Sequence, residues 1–219
     1  MISAVVLDVG ETLIDETRIW TRWAERLGVP ALTLMGLLGG MAALNRSHRD
    51  ALVLLRPGFD LESELELWAA ADPESLRERF DESDLYPDVR PTLASLTAAG
   101  LPIFLAGNQP AEARIALLEM DLGVAHIANS AELGAEKPAT EFFAALIDLI
   151  GLPPSQILYV GDRLDNDVLP ARAADLRTVL LRRGPWGFLH SERSEARLAD
   201  AICDSLLELP SLIAGLQSR

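Results

Sequence analysis

The chain has 219 residues, of which 49% are apolar, enough for one substantial domain and a smaller insertion. Its formal net charge of −14 argues against nucleic acid and against an anionic membrane as a partner. A small anionic ligand is still compatible, because the local field at a site outweighs the net charge. Cys203 is the only cysteine, so no intrachain disulfide can form. Together with the lack of a secretory signal pattern, this predicts a cytoplasmic protein.

The first predicted element is a strand that ends at a carboxylate. The apolar run 2–7 is rich in β-branched residues, which is typical of a buried strand in a parallel sheet. Asp8 follows it, and then come Gly10 and Thr12. Ligands of open α/β sheets bind at the carboxyl ends of strands, so Asp8 is a candidate site residue. Taken alone, this stretch leaves a turn-capping role for Asp8 open.

Residues 15–86 contain helical patterns and no convincing strand. The apolar stretch 29–44 is shorter than the roughly 20 residues that span a bilayer, so it predicts a buried helix. The block as a whole predicts a small helical domain inserted after the first strand. Its predicted helices cover residues 17–28, 30–45, 60–71 and 73–81.

Strand and helix patterns alternate in the rest of the chain. This alternation predicts parallel βαβ units with right-handed crossovers, and hence a doubly wound α/β sheet. A last helix near residues 195–209 is expected to pack on the outside. The other predicted helices are 91–99, 111–120, 140–150 and 167–174, and the predicted strands are 101–106, 125–129, 156–160 and 177–181.

Three polar motifs accompany the later strands. Gly107-Asn108 closes the second predicted strand, and Gly161-Asp162 closes the fourth and leads to Asp167. Lys137, the only lysine of the chain, precedes a proline and a predicted helix between them. In this order, and over about residues 2–181, the motifs resemble those of the haloacid dehalogenase-like hydrolase superfamily. The helical block resembles the cap of its phosphatase and dehalogenase branches.

The resemblance implies a Rossmann-like core formed by residues 1–14 and 87–219, with an all-helical cap at 15–86. It also implies Mg²⁺ ligands: Asp8, the backbone carbonyl of Gly10, and Asp162, with Asp167 close behind. If the first and fourth strands are neighbours, the three aspartates converge and need a cation to stay ionised together. Aspartates that only cap helices are the alternative.

The same resemblance implies that Asp8 is a nucleophile that forms an aspartyl phosphate. The ammonium group of Lys137 can pair with Asp8 and with phosphoryl oxygens in the transition state. Asn108 and the backbone amides of Gly107 and Thr12 are candidate hydrogen-bond donors to the phosphoryl group. A second set, in the cap, is Arg46 and Arg49, which are candidates to bind an anionic substrate tail, although solvated helix faces explain them equally well.

Two positions depart from the family pattern. Gly10 stands where phosphatases of the family carry a second aspartate, the general acid and base, and Gly107 stands where they carry serine or threonine. Glu11 is one residue further on and is expected to face solvent, but it could substitute for that aspartate. The expected function is therefore a Mg²⁺-dependent phosphatase of a small phosphorylated metabolite. The alternatives are a catalytically weak binding or regulatory protein and a 2-haloacid dehalogenase.

Overall fold

The computed structural model describes residues 1–71, 80–109 and 111–217. The chain divides into two compact units, one formed by Met1–Asp15 with Asp81–Arg219 and one formed by Glu16–Phe80. Residues 81–86, which the sequence analysis assigns to the helical block, thus belong to the first unit. The helix expected at 73–81 falls almost wholly on residues 72–79, which lie outside the described part of the chain.

The first unit is built on a six-stranded sheet in the order β3-β2-β1-β4-β5-β6, and every neighbouring pair is parallel. The expected doubly wound α/β fold is therefore confirmed. The first strand lies in the interior of the sheet, where Val5 pairs with Ile103 on one side and with Leu158 on the other. The strands are β1 (Ala4–Leu7), β2 (Ile103–Gly107), β3 (His126–Asn129), β4 (Ile157–Gly161), β5 (Arg177–Leu181) and β6 (Ala201–Cys203).

The second unit is helical over its described residues, as expected. Its helices are α1 (Thr17–Leu27), α2 (Ala31–Ala43), α3 (His48–Leu55) and α4 (Leu61–Ala71). The helix predicted from the apolar stretch is α2, and it buries Leu34, Leu38, Met41 and Ala42. The sequence analysis missed α3, although Ser47 and Asp50 form a capping box at its start.

The apolar stretch 29–44 raises the question whether a helix of this chain could span a membrane. No single helix in the described ranges is long and apolar enough to cross a bilayer, while α1 and α2 together, bent by 113° at their junction, satisfy the length and composition criteria.

The helices of the α/β unit follow the predicted pattern up to the fifth strand. They are α5 (Val89–Ala98), α6 (Ala111–Glu119), α7 (Ser130–Leu133), α8 (Thr140–Ile150), α9 (Leu169–Ala173), α10 (Gly184–Ser191) and α11 (Leu209–Gln217). Among these earlier elements, the short helix α7 was not predicted, and a second departure precedes α9. Residues Leu164–Val168 form a π-turn, where a regular helix from Asp167 was expected.

The helix predicted at 195–209 is wrong. This segment contains β6, which pairs with β5, and two short 3₁₀ turns. Its apolar residues 198, 202, 206 and 209 have helical spacing, which explains the error. Long-range backbone hydrogen bonds decide the outcome: the amide of Arg182 donates to the carbonyl of Cys203, and that of Asp200 to the carbonyl of Thr178.

An aromatic cluster packs α8 against strand β4 of the sheet. Phe143 packs edge-on against Phe142 and against Tyr159 of β4, with ring centroids 5.2 and 5.5 Å apart. The Tyr159 hydroxyl donates to the carbonyl of Ala106 in β2 at 2.8 Å. This hydrogen bond links β4 to β2 across the intervening strand β1.

We expect Phe143→Ala to lower the free energy of unfolding by about 3–5 kcal/mol, because it leaves a cavity at a fully buried position. Urea denaturation followed by circular dichroism measures the change. Leu149→Ala, on the same helix but 41% exposed, is the matched control and should cost less than about 1 kcal/mol. Equal losses for the two variants would contradict the assignment of this cluster as core.

Candidate active site

Three aspartates meet at the carboxyl edge of the sheet. The backbone of Asp8 continues the pairing of β1 with β4, since its amide donates to the carbonyl of Val160 at 2.9 Å. Asp162 follows β4 directly, and Asp167 lies in the π-turn. The three side chains are buried, and each offers an oxygen within 4.8 Å of the others. The convergence that the sequence predicted from neighbouring strands is therefore present.

Lys137 brings its ammonium group into this cluster. Its Nζ donates to Oδ1 of Asp8 at 2.7 Å and to Oδ1 of Asp167 at 2.6 Å. The lysine is only 5% exposed. Burial alone lowers the pKa of Lys137, but the charges of Asp167 and Asp8 outweigh it and hold that pKa well above its usual range. The ammonium form of Lys137 is therefore favoured between the two carboxylates.

The side chain of Asn108 fixes the backbone of Lys137. Its Oδ1 accepts from the Lys137 amide at 2.7 Å, and its Nδ2 donates to the Lys137 carbonyl at 2.8 Å. Asn108 follows β2, so this pair of bonds ties the loop before α8 to the second strand. Its contact in the structure is thus with Lys137, and the expected hydrogen bond from Asn108 to a phosphoryl group stays a prediction.

Asp167 is held from two sides. Its Oδ1 accepts from Lys137, and its Oδ2 accepts from the backbone amide of Arg163 at 2.9 Å. Gly161 makes room for it, since a Cβ at that position would lie 2.4 Å from Cγ of Asp167. Asp167 lies in the π-turn, a conformation that is frequent at functional sites. Asp165, in contrast, points to Arg163 and forms a two-bond ion pair with it.

The cluster has an excess of negative charge. Burial raises the pKa of Asp8 to about 6, and burial with the nearby charges of Asp167 and Asp8 raises the pKa of Asp162 well above its usual range. Among the described residues, no hydrogen bond reaches the Asp162 carboxylate. A buried carboxylate without a donor, facing two further carboxylates, fits a divalent cation with oxygen ligands such as Mg²⁺.

The two family departures have different surroundings. At Gly107, an added Cβ would lie 2.6 Å from Oδ1 of Asp8, the atom that accepts from Lys137. The glycine therefore accommodates this orientation of Asp8. Glu11 was expected to face solvent, but it is half-buried and accepts a hydrogen bond from the Tyr86 hydroxyl at 2.7 Å. Thr12 is fully buried, and its amide donates to the carbonyl of Val9 at 3.3 Å.

The two candidate arginines of the helical unit lie near the start of α3. Arg46 is exposed and pairs with Asp50 at 3.2 Å. Arg49 is exposed as well, and its backbone amide donates to the Ser47 hydroxyl. Both side chains are on the surface of the second unit, and their role in substrate binding stays a prediction.

The sequence analysis missed two residues, Arg183 and His190, that bind backbone groups of the segments next to the cluster. Arg183 lies 4.0 Å from the centre of the Tyr86 ring and donates to the carbonyl of Thr12 at 2.7 Å. His190 is fully buried, and its Nδ1 accepts from the amide of Leu164 at 3.0 Å. Neither residue belongs to a motif. The only signal in the sequence is that Arg183 is the second residue after the last predicted strand.

Together, the parallel sheet and its edge of buried aspartates around one lysine define a candidate hydrolase site in a doubly wound α/β fold, with an acidic cluster whose geometry fits a metal ion. Residues 2–175 match the model of the haloacid dehalogenase-like hydrolase family. The chain belongs to this family, and the expected membership and hydrolase class are confirmed.

Relatives of the chain include curated enzymes and solved structures. The glyceraldehyde 3-phosphate phosphatase of Methanopyrus kandleri is 30% identical over 96% of this chain and 94% of its own. The phosphoglycolate phosphatase of Pectobacterium atrosepticum is 29% identical over 69% and 70%. A crystal structure of a predicted phosphoglycolate phosphatase from Haemophilus somnus superposes with a TM-score of 0.69, at 20% identity over 97% and 98%. The last similarity supports the fold.

We expect Gly161→Ala to lower the free energy of unfolding by about 1–3 kcal/mol, because the new methyl group overlaps Asp167, which Lys137 and Arg163 hold in place. Gly215→Ala is the control, since a Cβ there meets nothing within 4 Å, and it should stabilise α11 by up to about 1 kcal/mol. Urea denaturation of both variants measures the difference. A Gly161 variant as stable as the wild type would contradict the tight placement of Asp167.

His190 should make stability depend on pH. Burial lowers the pKa of His190 to about 4, so between pH 6.5 and 4 the unfolded chain binds a proton there and the folded chain does not. Stability from this residue is therefore lost as the pH falls. Relative to His190→Gln, whose side-chain carbonyl can accept the same hydrogen bond, the wild type should lose about 2 kcal/mol between pH 7.5 and 5. A constant difference across this range would contradict the neutral ring.

Proposed function

We propose that the chain is a Mg²⁺-dependent phosphatase that acts on a small phosphorylated metabolite through an aspartyl phosphate on Asp8. One observation carries this proposal: Asp8 is joined to Lys137 at 2.7 Å, and its carboxylate has Asp162 and Asp167 oxygens within 4.8 Å. The phosphatase names of the relatives at 29–30% identity support the same reaction class.

Asp8 is the nucleophile of the proposed reaction. Lys137 holds the carboxylate by Oδ1, and the second oxygen attacks phosphorus as the bond to the leaving oxygen breaks. Water then attacks the phosphorus of the aspartyl phosphate, which releases inorganic phosphate and restores the carboxylate. Covalent catalysis of this kind divides one difficult displacement into two easier ones.

Lys137 and Asn108 serve the reaction by position and charge. The fixed ammonium group stabilises negative charge on the phosphoryl oxygens as it builds up in the transition state. Asn108 keeps that lysine in place through its two bonds to the backbone, and it remains a candidate donor to the phosphoryl group together with the amide of Gly107. The Thr12 amide, the third candidate, donates to the Val9 carbonyl in the structure and would have to exchange that bond.

The acidic cluster would hold the cation. The proposed ligands are Asp8, the carbonyl of Gly10 and Asp162, with Asp167 close behind. When bound, Mg²⁺ supplies charge neutralisation and a fixed point for the phosphoryl group. In the absence of the cation, Asp162 is a buried carboxyl group whose pKa lies well above its usual range.

The substrate is proposed by class. The relatives are named for glyceraldehyde 3-phosphate and phosphoglycolate, which are small phosphate esters with a second polar group. An anionic or polar tail of this kind suits arginine, which binds carboxylates through two parallel hydrogen bonds. Arg46 and Arg49 are the candidates in the helical unit. A cytoplasmic location remains part of the proposal.

A screen of phosphate esters and 2-haloacids, each with Mg²⁺ and with EDTA, tests the function. We expect phosphate release that depends on Mg²⁺ and no halide release. Asp8→Asn should lower the rate by roughly 10⁴-fold or more while leaving the fold intact, because the amide cannot attack phosphorus. Malachite green detection measures phosphate, and circular dichroism measures the fold.

Asp175→Asn is the matched control, since Asp175 is an exposed acid after α9, and its rate should stay within about twofold of the wild type. Mg²⁺ should also raise the Tm of the wild type but not of Asp162→Asn. Halide release without metal would replace this proposal with the dehalogenase. If no substrate is hydrolysed but one of the phosphate esters still raises the Tm, the alternative of a catalytically weak binding or regulatory protein would be favoured.

A further inference from the structure

The guanidinium group of Arg183 connects three segments of the α/β unit that are distant in sequence. Arg183 is the second residue after β5, and its side chain is 11% exposed. Its Nη1 donates to the carbonyl of Thr12 at 2.7 Å, and its Nη2 donates to Oδ2 of Asp88. Its guanidinium carbon lies 4.0 Å from the centre of the Tyr86 ring. The turn after β1 is thereby joined to the start of α5 and to the end of β5.

Asp88 fixes the orientation of this guanidinium group. Its Oδ2 also accepts from the hydroxyl of Ser205 at 2.7 Å and from the amide of Leu206 at 2.9 Å. Burial raises the pKa of Asp88, but the hydrogen bonds from Ser205, Arg183 and Leu206 outweigh burial and hold that pKa below its usual value. Asp88 is therefore a carboxylate at neutral pH, and its bond to Arg183 is between two charged groups.

The turn that Arg183 contacts carries the Gly10 carbonyl, a proposed Mg²⁺ ligand. This carbonyl belongs to the same peptide group as the Glu11 amide, which donates to the carbonyl of Ile14 at 2.8 Å. The direction of the Gly10 carbonyl therefore depends on the shape of the turn. Glu11 has a φ of 50°, in the left-handed region where residues other than glycine are strained. Such a conformation persists only when the surrounding structure supports it.

The hydrogen bonds inside the turn give limited support. The amides of residues 12–14 all donate to the single carbonyl of Val9, at 3.3, 2.8 and 3.0 Å. A carbonyl oxygen has two lone pairs, so three donors share two acceptor positions. The shape of the turn therefore depends also on bonds from groups outside it.

Arg183 supplies such a bond. The Thr12 carbonyl, which accepts from Arg183, belongs to the same peptide group as the Leu13 amide. Fixing this peptide plane therefore also orients the donor of the 2.8 Å bond to Val9. The Tyr86 amide donates to the Leu13 carbonyl at 2.9 Å. Bonds from a charged donor are roughly twice as strong as those between neutral groups, so the bond from Arg183 is the stronger of these two.

We propose that Arg183 is a positioning residue that fixes the turn after β1 and, through it, the direction of the Gly10 carbonyl. Asp88 is its anchor, because it holds the guanidinium group at the Thr12 carbonyl. This inference rests on the proposed phosphatase function, since the ligand role of the Gly10 carbonyl belongs to that proposal.

The first test measures the turn without metal or substrate. Hydrogen–deuterium exchange by mass spectrometry follows residues 9–14 in the wild type and in Arg183→Met, which has no donor for the Thr12 carbonyl. We expect this segment to exchange at least about tenfold faster in the variant, because the loss opens the turn locally. β3 (His126–Asn129) is the internal reference for opening of the whole unit, and its exchange should change less than that of the turn.

The second test measures the affinity for Mg²⁺. The Tm is recorded over a series of Mg²⁺ concentrations, because a ligand of the folded state raises the Tm according to its affinity. Arg183→Met should raise the Mg²⁺ concentration at half effect by about 10–100-fold, the usual loss when a residue that orients a metal ligand is removed. The Mg²⁺ concentration for half-maximal phosphate release should rise by the same factor.

Arg182→Met is the matched control at the preceding position. Arg182 pairs with Asp204 at 2.6 Å on the surface, and exposed ion pairs contribute little to stability. This variant should keep wild-type exchange of the turn and wild-type affinity for Mg²⁺. Arg183→Lys retains a charged donor without the planar fork, so its Mg²⁺ affinity should lie between those of Arg183→Met and the wild type.

A double variant separates positioning from stability. Arg183→Met leaves the Asp88 carboxylate buried without its partner, and Asp88→Asn/Arg183→Met removes that charge. The side-chain carbonyl of the new amide can still accept from Ser205 and Leu206. The double variant should therefore be more stable in urea than Arg183→Met, yet keep the fast exchange of the turn and the weak affinity for Mg²⁺.

Wild-type exchange of residues 9–14, or wild-type affinity for Mg²⁺, in the double variant would overturn the role of Arg183 and leave the proposed function standing. A wild type that releases no phosphate in the presence of Mg²⁺, or an Asp8→Asn variant that still does, would overturn the proposed function itself and this inference with it.

Discussion

The contact between Lys137 and Asp8 is the interaction on which the rest of the site depends. One buried ammonium group binds two buried carboxylates, Asp8 and Asp167, and a third, Asp162, lies within 4.8 Å of them. Removing charges from water is costly unless they are paired and hydrogen-bonded. The lysine meets this requirement for two of the acids, and the unmet requirement of the third is the physical argument for a cation.

Much of the surrounding structure holds these groups at bonding distance. β1 and β4 are neighbours, so the acids that follow them meet at one edge. Asn108 fixes the backbone of Lys137 from β2. Glycines stand where side chains would collide with the acids: Gly161 against Asp167 and Gly107 against Asp8. The placement of these two acids therefore requires residues without a side chain at positions 107 and 161.

The two glycines that depart from the family pattern have different consequences. Gly107 has a steric reason in this chain, because it accommodates the Asp8 orientation that binds Lys137. Gly10 leaves no side chain at that position, and the carboxyl group of the next residue, Glu11, accepts a hydrogen bond from Tyr86. In this chain the first acidic side chain after Asp8 is therefore that of Glu11, three positions further on.

The sequence by itself determined the first five strands of the sheet and, with the family resemblance, the members of the acidic cluster. Buried strands have continuous apolar runs and each ends at a polar residue, so Asp8, Asn108 and Asp162 could be placed at the strand ends from local pattern alone. The only lysine, Lys137, drew attention because of its rarity. Local apolar periodicity also predicted α2 and most helices of the α/β unit, because an amphipathic helix carries its signal within a few turns.

Only the tertiary structure decided the features that depend on contacts distant in sequence. The edge strand β6 forms through backbone bonds to β5, although residues 198–209 have helical spacing. The hydrogen bonds from Lys137 to Asp167, from Tyr86 to Glu11 and from the Leu164 amide to His190 join residues 26 to 75 positions apart. Such contacts leave no periodic trace, because one hydrogen bond or one close approach constrains only the two residues that make it.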